Sequence, residues 1–174
     1  MKKFYYLILL ISGCVSNQDA HPPIFSFSKQ DLNNLIENSE GISFEKTVIF
    51  NQKTETKKVT FTKEKLKKEL SFFYELDINN PEFGKTFSKD SISNSKDEYV
   101  LTYTKNKKAK HHLESIKEFF YQNKLKKIEG IFNQKSPLFF SAQKISLEIS
   151  DIQKIKSYFI QNNQGLVTQD SNHY

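Results

Sequence analysis

Apolar residues are arranged in three ways along this chain. The first is an unbroken run: residues 4–11 are almost wholly apolar, preceded by Lys2-Lys3 and followed by Ser12-Gly13-Cys14. The second is helical spacing. Leu32, Leu35 and Ile36 share one face behind Ser28, a residue type that caps helix starts, and Asp31 suits the positive end of a helix dipole. This first helix is expected to end near Glu40-Gly41. A second helix is predicted over residues 63–76. There Leu66, Leu70, Phe73 and Leu76 form a stripe, with Lys65, Lys67, Lys68 and Glu69 away from it. The sequence Asp77-Ile78-Asn79-Asn80-Pro81 stops it.

The third arrangement is alternation, which predicts strands. Residues 43–50 and 53–61 read as a hairpin with its tip at Asn51-Gln52. In the first strand Phe44, Val48 and Phe50 share a face that Lys46 interrupts. Residues 98–104 alternate Tyr99, Leu101 and Tyr103 with polar neighbours, and residues 125–132, 138–149 and 152–161 follow suit, with a turn at Ser150-Asp151. Residues 112–121 fit both patterns. Leu113, Ile116 and Phe120 match a helical period better than a strand face, because Glu114 and Glu118 fall between them.

The front of the chain predicts a location. Its apolar run is shorter than the about 20 residues that span a bilayer. Lysines, a short apolar segment and small residues make a secretion signal. Ile11-Ser12-Gly13-Cys14 resembles a bacterial lipobox, which implies removal of residues 1–13 and acylation of Cys14. One acyl chain binds a bilayer only marginally, so the several chains of the lipobox pattern are what give stable anchoring. Residues 14–23, ending in His21-Pro22-Pro23, then read as a tether, 24–161 as one domain and 162–174 as a flexible tail. There is no internal repeat. Asp19 stands alone after Cys14, without the acidic cluster of a surface-export tag, which favours the outer membrane facing the periplasm.

Charge narrows the partners. All 26 basic side chains are lysine, and loss of Lys2 and Lys3 lowers the net charge from +6 to about +4. Base readout and carboxylate clamps favour arginine's planar fork, so a nucleic-acid partner is not expected. Lysines solvate a surface and are drawn to anionic headgroups beside an anchor. Cys14 is the sole cysteine, which excludes an intrachain disulfide. With 16 phenylalanines and no tryptophan, the core should be phenylalanine, leucine and isoleucine.

The order of Lys46-Thr47-Val48, Lys68-Glu69-Leu70 and Asp77-Ile78-Asn79-Asn80-Pro81, with Glu55 after the hairpin tip, resembles a family of small Bacteroidota lipoproteins. The resemblance covers most of residues 24–161. It departs from the family in a shorter first helix and in an extra asparagine before Pro81, where lysine is usual. It implies a β-hairpin over residues 112–132 turning at Gln122-Asn123-Lys124. It further implies an α+β fold: an antiparallel sheet of about seven strands with two helices on one face. It brings a location and a fold, and no chemistry.

Candidate chemistry is sparse. There is no glycine-x-serine-x-glycine elbow, and five glycines leave little for a phosphate loop. His111 and His112, if in a strand, point to opposite faces and cannot share a metal. Asp77 falls at a helix C-terminus, where negative charge is unfavourable. An Asx-turn at Asp77 or Asn79 is the ordinary account, and ligand contact at these two residues is the sharper one. The groups Phe72-Phe73-Tyr74, Phe119-Phe120-Tyr121 and Phe139-Phe140 read as core, with a groove for a lipid, peptide or partner as the alternative. The expected function is a non-enzymatic, lipid-anchored binding module without cofactor or metal. It would work through a concave sheet face or a groove between sheet and helices. Its partners would be the membrane, through the N-terminal lipid, and a hydrophobic ligand or envelope protein. Two alternatives stand beside it: a carrier-like module holding an acyl chain in an aromatic groove, and an enzyme of unrecognised class.

Overall fold

The computed structural model describes residues 27–50, 52–93 and 95–166. Cys14, the expected leader and tether, and residues 167–174 lie outside them. The chain runs α1 (Lys29–Asn38), β1 (Ser43–Phe50), β2 (Lys53–Thr60), α2 (Lys63–Glu69), two 3-10 segments (Ser71–Leu76 and Pro81–Lys85), then β3 (Phe87–Ser93), β4 (Glu98–Lys105), β5 (Leu113–Tyr121), β6 (Lys124–Lys135), β7 (Phe139–Ile149) and β8 (Ile155–Leu166). The described strands form one sheet in the order β2-β1-β8-β7-β6-β5-β4-β3.

This is a mostly-sheet α+β fold, with two corrections. The sheet has eight strands rather than about seven, because β3 is a strand whose residues after Phe87 are all exposed and polar but for Ile92. A strand with one solvated edge and no buried face leaves no alternation to read. The sheet is also mixed. β8 runs parallel to β1, with Glu45 opposite Ser157 and Phe50 opposite Asn162, while the other neighbours are antiparallel.

Local chemistry explains the elements. Ser28 and Asp31 form a capping box: the Ser28 hydroxyl accepts from the Asp31 amide at 3.2 Å, and the Asp31 carboxylate accepts from the Ser28 amide at 2.8 Å. The predicted second helix is α-helical only to Glu69 and then tightens into the 3-10 segment Ser71–Leu76. The β-turn between β5 and β6 places Gln122 and Asn123 at φ +49° and +59°. Two successive positive values make a turn whose twist matches the strands it joins, so residues 113–135 form the hairpin that the resemblance implied. Strand β8 continues to Leu166, so residues 162–166, expected in the tail, belong to the sheet.

The helices and 3-10 segment Ser71–Leu76 cover one face of the sheet. Cross-strand rungs show what lies beneath: Lys46, Tyr158, Leu147 and Ile128 make one row, and Val48, Ile160, Ile145 and Gly130 the next. Leu32, Leu35, Ile36, Leu66, Leu70, Phe73 and Leu76 are buried against them. Each such aliphatic side chain contributes roughly 1.5–3 kcal/mol on burial. Gly130 is where the layers come closest. A Cβ built there would lie 2.4 Å from a methyl of Leu76, so the absent side chain is the socket that seats the end of the 3-10 segment. None of the described helices is long and apolar enough to cross a membrane.

Candidate functional site

Asp77 and Asn79 close the 3-10 segment Ser71–Leu76 and tie it to the start of α1. One Asp77 oxygen accepts from the Asn79 amide at 3.0 Å and the Asn79 carboxamide at 2.8 Å; the other accepts from the Lys29 amide at 2.9 Å. The Asn79 carboxamide also donates to the Phe27 carbonyl at 3.2 Å. Partial burial works against ionisation of Asp77. The amides of Lys29 and Asn79, the Asn79 side chain and the Lys29 charge outweigh it and hold the carboxyl below its ordinary value. This is the Asx-turn of the ordinary account, extended to satisfy an orphan amide in the first turn of α1. Both carboxylate oxygens accept bonds from the chain itself.

Glu118 went unremarked as a site, because it looked like an interruption of a strand face. It is fully buried, on the helix-covered side of β5, and accepts from the Phe27 amide at 2.9 Å. Burial first, and the Glu118 charge second, push the phenol of the adjacent Tyr103 far above its ordinary value. A matching arrangement lies at the other end of the core. Lys46 points inward to pair with Glu69 of α2, its ammonium 5.9 Å from the centre of the Tyr158 ring. Burial, then Glu69, push the Tyr158 phenol far up. Both clusters lock an element to the sheet: Glu118 holds the start of the fold and Glu69 holds α2.

The two histidines are not opposed. They precede β5 rather than lie in it, and their rings stack at 4.7 Å and 13°. The strand geometry that would point them apart begins only at Leu113. His111 packs edge-on against Phe83 at 5.1 Å and Phe87 at 5.8 Å. Burial, and then the neighbouring imidazole, push its pKa below the ordinary value. His112 is exposed and bonds Glu75 at 2.5 Å. Among the described residues, no three histidine, cysteine, aspartate or glutamate side chains come together to hold a metal.

Beyond these clusters the sheet face is left partly bare, because the 3-10 segment Ser71–Leu76 stops short of the strand ends. The uncovered part is a groove of about 530 Å³. Its floor continues the core rungs with different chemistry: Phe50, Asn162, Gln143 and Phe132 in one row, then Gln164, Ser141 and Gln134. Phe72, 44% exposed, flanks it, and the Glu75–His112 pair closes one side. The Asn162 Oδ1 is buried and has no hydrogen-bond partner among the described residues.

A second concavity, of about 710 Å³, lies at the opposite end of the strands, walled by Tyr99, Val100, Phe119, Phe120 and Tyr121. Tyr99 and Phe120 stack at 4.6 Å and 6°. Lysines rim it, each with a carboxylate: Lys126 with Asp151, Lys127 with Glu129 at 2.8 Å, Lys156 with Glu148 at 3.5 Å. Of the three aromatic groups singled out in the sequence, only Phe73 is fully buried. Phe72, Tyr121, Phe139 and Phe140 are exposed.

No protein-family model matches this chain, and no curated protein or solved structure matches it either.

Proposed function

We propose that this chain is a non-enzymatic binding module of the cell envelope, lipid-anchored through Cys14, that takes its ligand in the groove of about 530 Å³ where the helical layer stops short of the sheet. The change of floor chemistry supports this. Along the same face of the same strands, isoleucine and leucine give way to carboxamides. The Asn162 Oδ1 there is unpaired, an arrangement that costs about 1–3 kcal/mol relative to a satisfied or apolar group. The lipobox-like Ile11-Ser12-Gly13-Cys14 supports the anchoring.

The test uses the full chain in its host membrane. Cells grown with labelled palmitate should label the protein, and Cys14→Ser should release it from the membrane fraction. Native protein extracted in mild detergent should carry a small molecule or protein that Ser141→Trp, which fills the groove, no longer carries at unchanged Tm. Absence of label overturns the anchor, and an undiminished cargo in Ser141→Trp overturns the groove.

The aromatic concavity favours a second reading, a carrier that shelters an acyl chain. Its walls are aromatic and apolar, as an acyl chain requires, and the lysines of its rim are each paired with a carboxylate. A fluorescent fatty acid should bind, and Phe119→Glu should abolish that binding. Equal binding by the variant removes this reading.

A further inference from the structure

Resting on the groove assignment above, we infer that the ligand is an uncharged saccharide, held by side-chain amides on the groove floor and by an aromatic ring at its edge. Five carboxamide residues line one patch from three adjacent strands: Asn133 and Gln134 from β6, Gln143 from β7, Asn162 and Gln164 from β8. A carboxamide both donates and accepts, and so does a sugar hydroxyl. Planar amides spaced along neighbouring strands meet successive ring hydroxyls, while the C–H face of a sugar ring covers apolar surface. Such surface is present: Phe72, 44% exposed, lines the groove, and Phe50, 50% exposed, adjoins Asn162 in the same row.

Charge excludes the nearer competitors. The ionisable groups of the groove are Glu75 and His112, and they engage each other at 2.5 Å. Among the described residues lining the groove, a phosphate or carboxylate would find no free cation, and an ammonium no free carboxylate. A peptide is disfavoured by position. Extended peptides are read through backbone hydrogen bonds at a sheet edge. The outer strands are β2 and β3, whereas the floor row Asn162, Gln143 and Phe132 lies in β8, β7 and β6, which are paired there on both sides. An acyl chain would leave every amide desolvated without a partner.

Asn162 is the discriminating residue. Half-buried, with an oxygen that is sealed from solvent and short of a partner among the described residues, it is a poor choice for stability alone; leucine, of similar size, would serve the fold as well or better. Its amide is retained at that cost if a ligand completes its hydrogen bonding.

The experiment titrates the folded chain, side-chain amides labelled with nitrogen-15, with maltotriose, cellotriose, xylotriose and chitotriose in turn. An N-acetylated trialanine amide and a medium-chain fatty acid serve as separate arms. The expected result is that at least one trisaccharide shifts the Gln143 and Asn162 carboxamide signals, with Kd on the order of 1 mM, as an open polar groove affords. The affinity should be the same at low and high salt, since no charge is involved. Asn162→Leu and Gln143→Leu should each weaken binding at least about tenfold, with Tm of Asn162→Leu unchanged or raised. Binding of the peptide or the fatty acid in the groove, with no trisaccharide bound, overturns the saccharide and leaves the groove standing. No shift at the groove amides in any arm overturns the saccharide and counts against the groove as well. Trisaccharide binding that survives both substitutions also overturns the inference.

Discussion

The residues that hold this fold together polarly are few, and their protonation makes them testable. Asp77 ties the Asx-turn to the first amide of α1. Asp77→Ala should lower stability by about 1–2 kcal/mol, the scale of a lost cap with charge-assisted bonds, read as a fall in Tm. The carboxyl is held below its ordinary value of 3.8, so its contribution is present above that pH and disappears as pH falls through the lower native value. His111 acts at a higher pH. Its native pKa lies below 6.5, so the unfolded chain takes up the proton first and stability declines as pH drops under 6.5. A His111→Phe variant should lose that part of the acid sensitivity in denaturant titrations, while Asp77→Ala keeps it. The phenols behave oppositely. Tyr103 and Tyr158 are pushed far above 10, so the unfolded chain releases their protons first and stability falls as pH climbs past 10. Ultraviolet titration should show these two phenols ionising only as the protein unfolds; smooth ionisation of all tyrosines near 10 would contradict their burial.

At the scale of elements, periodicity found what has two different faces. The stripes Leu32-Leu35-Ile36 and Leu66-Leu70-Phe73-Leu76 are buried as their spacing implied, and the hairpin β1–β2 has the expected limits to within a residue. What was illegible had no contrast to read. Strand β3 shows the solvent on nearly every residue, β8 runs on through polar Asn162-Asn163-Gln164, and the change from α to 3-10 winding at Leu70 leaves the apolar spacing intact. Residues 112–121 misled because Glu118, an acid, occupies an inward position. The groove was hidden for a related reason: glutamines and asparagines scattered over three strands become a cluster only through register. Register also carries a prediction. Gly130→Ala would drive a methyl group into Leu76, Phe132 and Ile145 and should cost about 1–3 kcal/mol, the range for overfilling a packed core. Leu76→Ala in the same chain should recover part of the loss; additive destabilisation would show that the two layers do not meet there.

At the scale of the whole molecule, the first described residue is fixed from two sides. Phe27 is buried, its amide held by Glu118 and its carbonyl by Asn79, immediately before the capping box of α1. Phe27 is thereby bonded to β5 and to the turn after the 3-10 segment Ser71–Leu76, so the start of α1 is held by two separate elements. Phe27→Ala should cost about 3–5 kcal/mol, measured by denaturant unfolding.

The parallel seam between β1 and β8 has a consequence for how the molecule is made. The strand that joins the β1–β2 hairpin to the rest follows all the other described strands in the chain. Until it arrives, the hairpin and the β3–β7 meander each present a raw edge, and loop closure over nearly the full chain makes their union slow. A chain cut after residue 150 should therefore give two unjoined halves that aggregate, not a shortened native protein. A chaperone that shields strand edges would have its work concentrated in that interval.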